Sequence, residues 1–229
     1  MCGRFTITVT IGLPERFRVP RCECPLIPRY NIAPSQQVPV IIHPLGCGRE
    51  CHEMSWGLVP SGTKDPAKTT RLINARAETL HERASFRPLL GSRRCIVPAT
   101  GFFEWVKRGR ESIPYYIRRK DESLFGFAGL YDFWKSPEGK SLKTFSIITT
   151  RPNALTARYH DRMPVMLLPE NESRWLDSGS LSPEETEELL SPYPEEYLTA
   201  FRVSRAVNDP RSEGAGLIRR ENDSALPFS

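Results

Sequence analysis

The chain has 229 residues, of which 39% are hydrophobic and 26% charged, the balance of a soluble globular protein long enough to bury a core. No apolar run approaches the roughly 20 residues of a membrane helix, and the N-terminus lacks the basic-then-apolar order of a secretory leader. That sets the expectation of a cytoplasmic, nucleoid-associated protein. Net charge is +5, but nine acidic residues and one basic residue fall between Glu170 and Leu198, leaving 31 basic and 18 acidic residues elsewhere. A basic body of this kind suits a polyanion such as nucleic acid, and equally a solvated surface with no partner.

The chain opens Met1-Cys2-Gly3-Arg4-Phe5. Removal of Met1 would leave Cys2 with an α-amine beside its thiol, groups with ordinary pKa values of about 7.7–8.0 and about 8.5. Such an aminothiol condenses with an aldehyde to a Schiff base, and its sulfur then closes a thiazolidine ring. The plain alternative is a cysteine that happens to come second. Strands are predicted over Phe5–Ile11 and Val38–His43 from their β-branched and alternating pattern. Between and after them lie Cys22-x-Cys24 and Cys47-x3-Cys51-His52. These are not the paired Cys-x2-Cys spacing of a zinc site, so loop cysteines without metal fit better. With an intracellular location, all six cysteines are expected to be thiols or ligands, not a disulfide framework.

Further along, Asn74-Ala75-Arg76-Ala77-Glu78 places an amide and a guanidinium two positions apart. On an extended segment both leave one face, where they would suit a phosphate or sugar oxygen. A helix over Ala75–Glu82, with Arg76 merely at the surface, competes with that reading. A strand at Cys95–Ala99 leads into Gly101-Phe102-Phe103-Glu104-Trp105. A carboxyl among three aromatics is partly desolvated and becomes a proton donor or acceptor near pH 7, unless Glu104 is an exposed residue between buried neighbours. Strands follow at Tyr115–Arg118, Phe125–Leu130, Phe145–Thr150 and Val165–Leu168, with a short helix at Asn153–Tyr159. His160-Asp161-Arg162-Met163-Pro164 then offers one of only four histidines as an acid/base candidate in a proline-ended loop. Ser182-Pro183-Glu184-Glu185 carries a serine cap, a proline at the first helical position and a glutamate at the third.

Twenty-one prolines spread through the chain argue against long helices. The expected fold is α+β, a single β-rich domain over residues 1–221. Its antiparallel strands form a barrel-like core with short peripheral helices, and residues 222–229 form a flexible tail.

Several of these segments recur in one order with others: Arg29–Pro34, Trp56-Gly57-Leu58-Val59-Pro60, Arg94–Ala99, Phe127–Leu130, Thr149-Thr150 with Asn153, and Val203-Ser204 with Val207-Asn208. From residue 2 to about residue 210 the chain resembles the SOS-response-associated peptidase (SRAP) family of abasic-site processing proteins. The resemblance implies a covalent sensor of abasic sites in single-stranded DNA, acting after Met1 is lost through self-cleavage. It matches Cys2 to the crosslinking cysteine, Asn74 to a residue that positions it, Glu104 to the acid/base carboxyl and His160 to a histidine near the sugar. Arg4, Arg76, Thr149 and Arg162 fall where the family contacts DNA. The resemblance requires no cofactor and no metal, and suggests a monomer without membrane association. Gly62 stands after Ser61 where the family often has tryptophan. A hydrolase with an N-terminal cysteine nucleophile, amidotransferase-like or peptidase, is the alternative; it lacks the expected glutamine-binding motifs.

Overall fold

Strands dominate because β-branched and aromatic residues recur between proline and glycine punctuation. The computed structural model describes residues 2–221; the tail expected from residue 222 lies outside the described residues. The first part of the chain forms β1 (Phe5–Ile7), α1 (Leu13–Phe17), β2 (Arg29–Ile32), β3 (Gln37–Ile42), β4 (Glu50–Trp56) and β5 (Asn74–Arg76). The middle forms β6 (Arg94–Ala99), β7 (Gly101–Arg108), β8 (Glu111–Arg119), β9 (Phe125–Lys135) and β10 (Ser141–Thr150). The last part adds β11 (Met163–Pro164), β12 (Met166–Leu167), α2 (Glu172–Leu176), α3 (Pro183–Leu189) and β13 (Leu198–Arg202).

Five strands close on themselves in the order β10, β4, β3, β6, β9 and back to β10, giving a small barrel. Closure removes the exposed edges an open sheet would carry. A second sheet runs β13-β8-β7-β1-β2. The predicted α+β class, β-rich with a barrel core and short peripheral helices, is what the structure has. Its pairing is not wholly antiparallel, because β10 lies parallel to both β4 and β5. Long connections, not hairpins, bring those strands to β10, and parallel pairing requires such crossovers.

Phe5 ties the two sheets together. Its ring sits edge-on to Trp56 at 5.2 Å and to Phe127 at 5.9 Å, and Phe127 meets Phe102 of β7. Side chains alternate along β7, so Phe102 joins this main core while Phe103 and Trp105 face a second, smaller one around Tyr116, Phe201 and Val203. A Cβ on Gly101 would stand 2.4 Å from the Tyr116 ring and hydroxyl, so only glycine allows β7 and β8 to approach there.

The helix at Ser182 forms as the sequence predicts, with the full capping box. The other two predicted helices do not form as α-helix. Ala75–Glu82 is divided between the end of β5 and a single 3-10 turn at Ala77–Thr79, and Asn153–Tyr159 reduces to a 3-10 turn at Thr156–Arg158 whose first amide hydrogen-bonds to Asn153 Oδ1. Pairing with β10 wins over local helix propensity in the first case. The expectation of unpaired loop cysteines is also corrected. Cys22 and Cys51 are joined by a disulfide, because the Glu23 amide docks on the Cys51 carbonyl and lays the loop against β4. Cys24 and Cys47 remain thiols. Among the described residues no group of three or more His, Cys, Asp or Glu is placed to hold a metal ion, and no helix is long and apolar enough to cross a membrane.

Candidate active site

The site is built where the chain start enters the sheet. Phe5 pairs with Phe102 in antiparallel register, and the Phe103 amide donates to the Arg4 carbonyl at 3.0 Å. Continuing that register places Gly3 opposite Glu104, so residues 2–4 run alongside the Glu104 segment. Cys2 is fully buried, its sulfur 4.0 Å from the Arg4 carbonyl. Burial pushes the thiol up, the Glu104 charge pushes it further, and near neutral pH it is protonated. Asn74, from β5, donates its side-chain N–H to the Cys2 carbonyl at 2.8 Å.

Glu104 lies on the face of β7 shared with Phe102 and is only 3% exposed, which removes the reading of it as a surface residue. Its Oε1 is buried without a hydrogen-bond partner among the described residues. Desolvation raises its pKa to about 7, against the opposing positive charge of the chain's N-terminus, with Asp161 adding a smaller upward push. Near neutral pH the carboxyl therefore exists in both protonation states, as proton transfer in either direction needs.

His160 reaches the site through aromatic packing. Tyr115 pairs with Glu104 across β7 and β8, and the Tyr115 ring lies 4.6 Å from that of Tyr159. The Arg162 amide donates to His160 Nδ1 at 3.0 Å, which puts the neutral ring's proton on Nε2. Asp161 Oδ1 lies 2.6 Å from the same nitrogen, an arrangement that would favour the opposite tautomer. The backbone bond decides the tautomer, since the Asp161 side chain is 86% exposed and its charge is screened by water. Burial, then the charged N-terminus, lower the histidine's pKa, consistent with a neutral ring at pH 7.

The four residues expected to contact DNA differ in what they present. Arg76 shares a face of β5 with Asn74 and is exposed. Arg4 spends Nη1 on Asn31 Oδ1 (2.6 Å) and the Val207 carbonyl (2.9 Å), with its guanidinium 5.8 Å from the centre of the Trp105 ring. Thr149 is fully buried on β10, and its hydroxyl points to the Ala75 carbonyl. Arg162 grips Glu78 with both Nη atoms at 2.7 and 2.9 Å and also donates to the Thr149 carbonyl. Beside Arg4, an open cleft of about 480 Å³ is bordered by Gly3, Trp105, Ser112 and Asn208. The Trp105 indole N–H is fixed by Asn208 Oδ1 at 2.7 Å. Sequence reasoning did not assign Trp105, Asn208 or Glu78 to the site. Trp105 adjoins Glu104 and Glu78 closes the Asn74 motif, so position was the available signal; their partners lie 103 and 84 residues away.

The site thus sets a buried Cys2, held by the Asn74 amide, alongside a buried, neutralisable carboxyl on β7. The chain belongs to the SOS response associated peptidase (SRAP) family, whose model matches residues 1–210. It is 43% identical over 222 residues to the abasic site processing protein YoqW of Bacillus subtilis, covering 95% of this chain and 99% of that one. It is 33% identical to the abasic site processing protein HMCES of Rattus norvegicus, with 81% of this chain and 63% of that protein covered. A crystal structure of a protein from Bacteroides thetaiotaomicron superposes with a TM-score of 0.86 at 32% identity, covering 96% of this chain and all of that one.

Proposed function

We propose that the protein processes abasic sites in single-stranded DNA by forming a covalent thiazolidine crosslink through Cys2. The relatives named as abasic site processing proteins support the substrate class. The observation that carries the chemistry is a Cys2 carbonyl clamped by Asn74 Nδ2 at 2.8 Å beside a buried carboxyl, Glu104, whose Oε1 has no hydrogen-bond partner among the described residues.

With Met1 attached the Cys2 nitrogen is an amide, so Met1 must first be removed. Glu104 as carboxylate can accept the proton of a water that attacks the Met1–Cys2 bond, which is the peptidase step. The new α-amine then adds to the C1′ aldehyde of the ring-opened abasic sugar, giving a carbinolamine. Protonated Glu104 donates to the departing hydroxyl, and water and an imine result. The Cys2 sulfur adds to the imine carbon while its proton passes to nitrogen, closing the five-membered ring. Ring closure removes the iminium that would otherwise drive loss of the 3′ phosphate. His160, with its proton on Nε2, donates to the sugar's ring oxygen during opening. Arg76 and the cleft beside Trp105 supply the charge and the aromatic wall that a single strand uses in place of base pairing.

Intact-protein mass spectrometry tests this directly. A chain lacking Met1, mixed with abasic single-stranded DNA, should gain the mass of the oligonucleotide less one water and keep it on heating. The same heat-stable adduct on Cys2→Ser would overturn the thiazolidine. A glutaminase activity without any adduct would favour an N-terminal-cysteine hydrolase instead.

A further inference from the structure

Glu78 lies in the turn directly after β5, two residues beyond Arg76. Its carboxylate accepts one hydrogen bond from each Nη atom of Arg162, the bidentate geometry in which an ion pair is strong even when one partner is half exposed. The same guanidinium donates to the carbonyl of Thr149, so one side chain binds the turn, β10 and the 160–162 loop together. Arg162 Nε is buried without a partner among the described residues, and both Nη atoms are bonded to protein. The backbone amide of that arginine is the donor that sets the His160 tautomer. On the other side, the strand leading into Glu78 carries Asn74, which holds the Cys2 carbonyl.

We propose that Glu78 is a positioning residue for the Cys2 site: by gripping Arg162 it fixes His160 at a set distance from the strand that clamps Cys2. The inference rests on the reading of Cys2 as the aldehyde-capturing group. Arg162 then serves the site as a strut, and its charge is balanced by Glu78 before any DNA arrives. A shift of about 1 Å in reacting groups can cost two orders of magnitude in rate, so a lost strut shows in the chemical step and not in capture of the strand. Asp161 and Arg162 are the charged side chains facing His160, and loss of Glu78 leaves the Arg162 charge beside it uncompensated.

The test uses the full-length, Met1-free protein and an abasic single-stranded oligonucleotide, with crosslinking rate followed against oligonucleotide concentration and pH. Glu78→Ala should lower the saturating rate at least about tenfold with the half-saturating concentration little changed, and should displace the limb of the pH profile that depends on His160. Glu78→Gln, which keeps the shape and can still accept one hydrogen bond, should recover part of the rate. Should Glu78→Ala fail to fold, Glu78→Gln alone still decides the matter by its saturating rate. Arg162→Ala should lower the saturating rate at least as far as Glu78→Ala, and the double variant should be no slower than Arg162→Ala alone. An unchanged saturating rate in both Glu78 variants overturns the proposal. So does a tighter half-saturating concentration at unchanged rate, since that would mean Glu78 merely holds Arg162 away from phosphate. A wild-type protein that forms no adduct would instead sink the functional reading itself.

Discussion

Replacing Glu104 by glutamine should stabilise the protein while disabling it. Burial raises the carboxyl from 4.5 to about 7, so folding disfavours its ionised form by about 3 kcal/mol at roughly 1.4 kcal/mol per pH unit. Between pH 4.5 and 7 the folded state holds this proton while the unfolded state has released it. Stability from this group is therefore complete below pH 4.5 and falls as pH rises through 7. Glutamine is the uncharged counterpart of the protonated acid and does not titrate. At pH 4 the two proteins should melt together; at pH 8.5 Glu104→Gln should melt higher by on the order of 5–10 °C for a domain of this size. Thermal melts by circular dichroism across that range give the difference curve, in which the other titrating groups cancel. The same variant should crosslink at least about 100-fold more slowly, the usual contribution of general acid catalysis. A melting difference that stays flat with pH, or one that grows toward acid, would refute the buried-carboxyl argument.

Three further outcomes follow from the packing. Asn74→Ala removes the hydrogen bond to the Cys2 carbonyl and should cost about 1 kcal/mol of stability while slowing adduct formation about tenfold, read by denaturant titration and by gel shift under denaturing conditions. Gly101→Ala forces a Cβ into the Tyr116 ring and should lose about 1–3 kcal/mol, again by denaturant titration. Cys22→Ser opens the link across 29 residues to Cys51 and should lower unfolding free energy by about 3 kcal/mol, with crosslinking rate at 25 °C unchanged because the link ties its loop to β4, which carries none of the site's residues.

Features governed by neighbours in sequence were legible without coordinates. The capping box at Ser182 needs only four residues, and the same-face relation of Asn74 and Arg76 needs only an extended backbone. The ordered motifs located Cys2, Glu104 and His160 as candidates, but not what each one touches. Closure of the barrel depends on β10 lying parallel to β4, a pairing between segments some 90 positions apart that no local pattern records. β4 itself reads Glu-Cys-His-Glu, too polar for a strand signal, and forms because Met54, Ser55 and Trp56 are buried at its other end. The Cys22–Cys51 bond and the Glu78–Arg162 fork were hidden for the same reason: each joins partners that only the finished fold makes neighbours.

Strand β7 carries Glu104 on its inner face and Trp105 on its outer one. A ligand that shifts the strand by pressing on the indole therefore changes the proton affinity of the carboxyl behind it. Linkage makes the relation reciprocal: acidity then alters the ligand's hold by the same factor, and binding is accompanied by net uptake or release of a proton. Calorimetry in buffers of different ionisation enthalpy would read that proton count, turning the two sides of one strand into a gauge of how far outside occupancy is felt within.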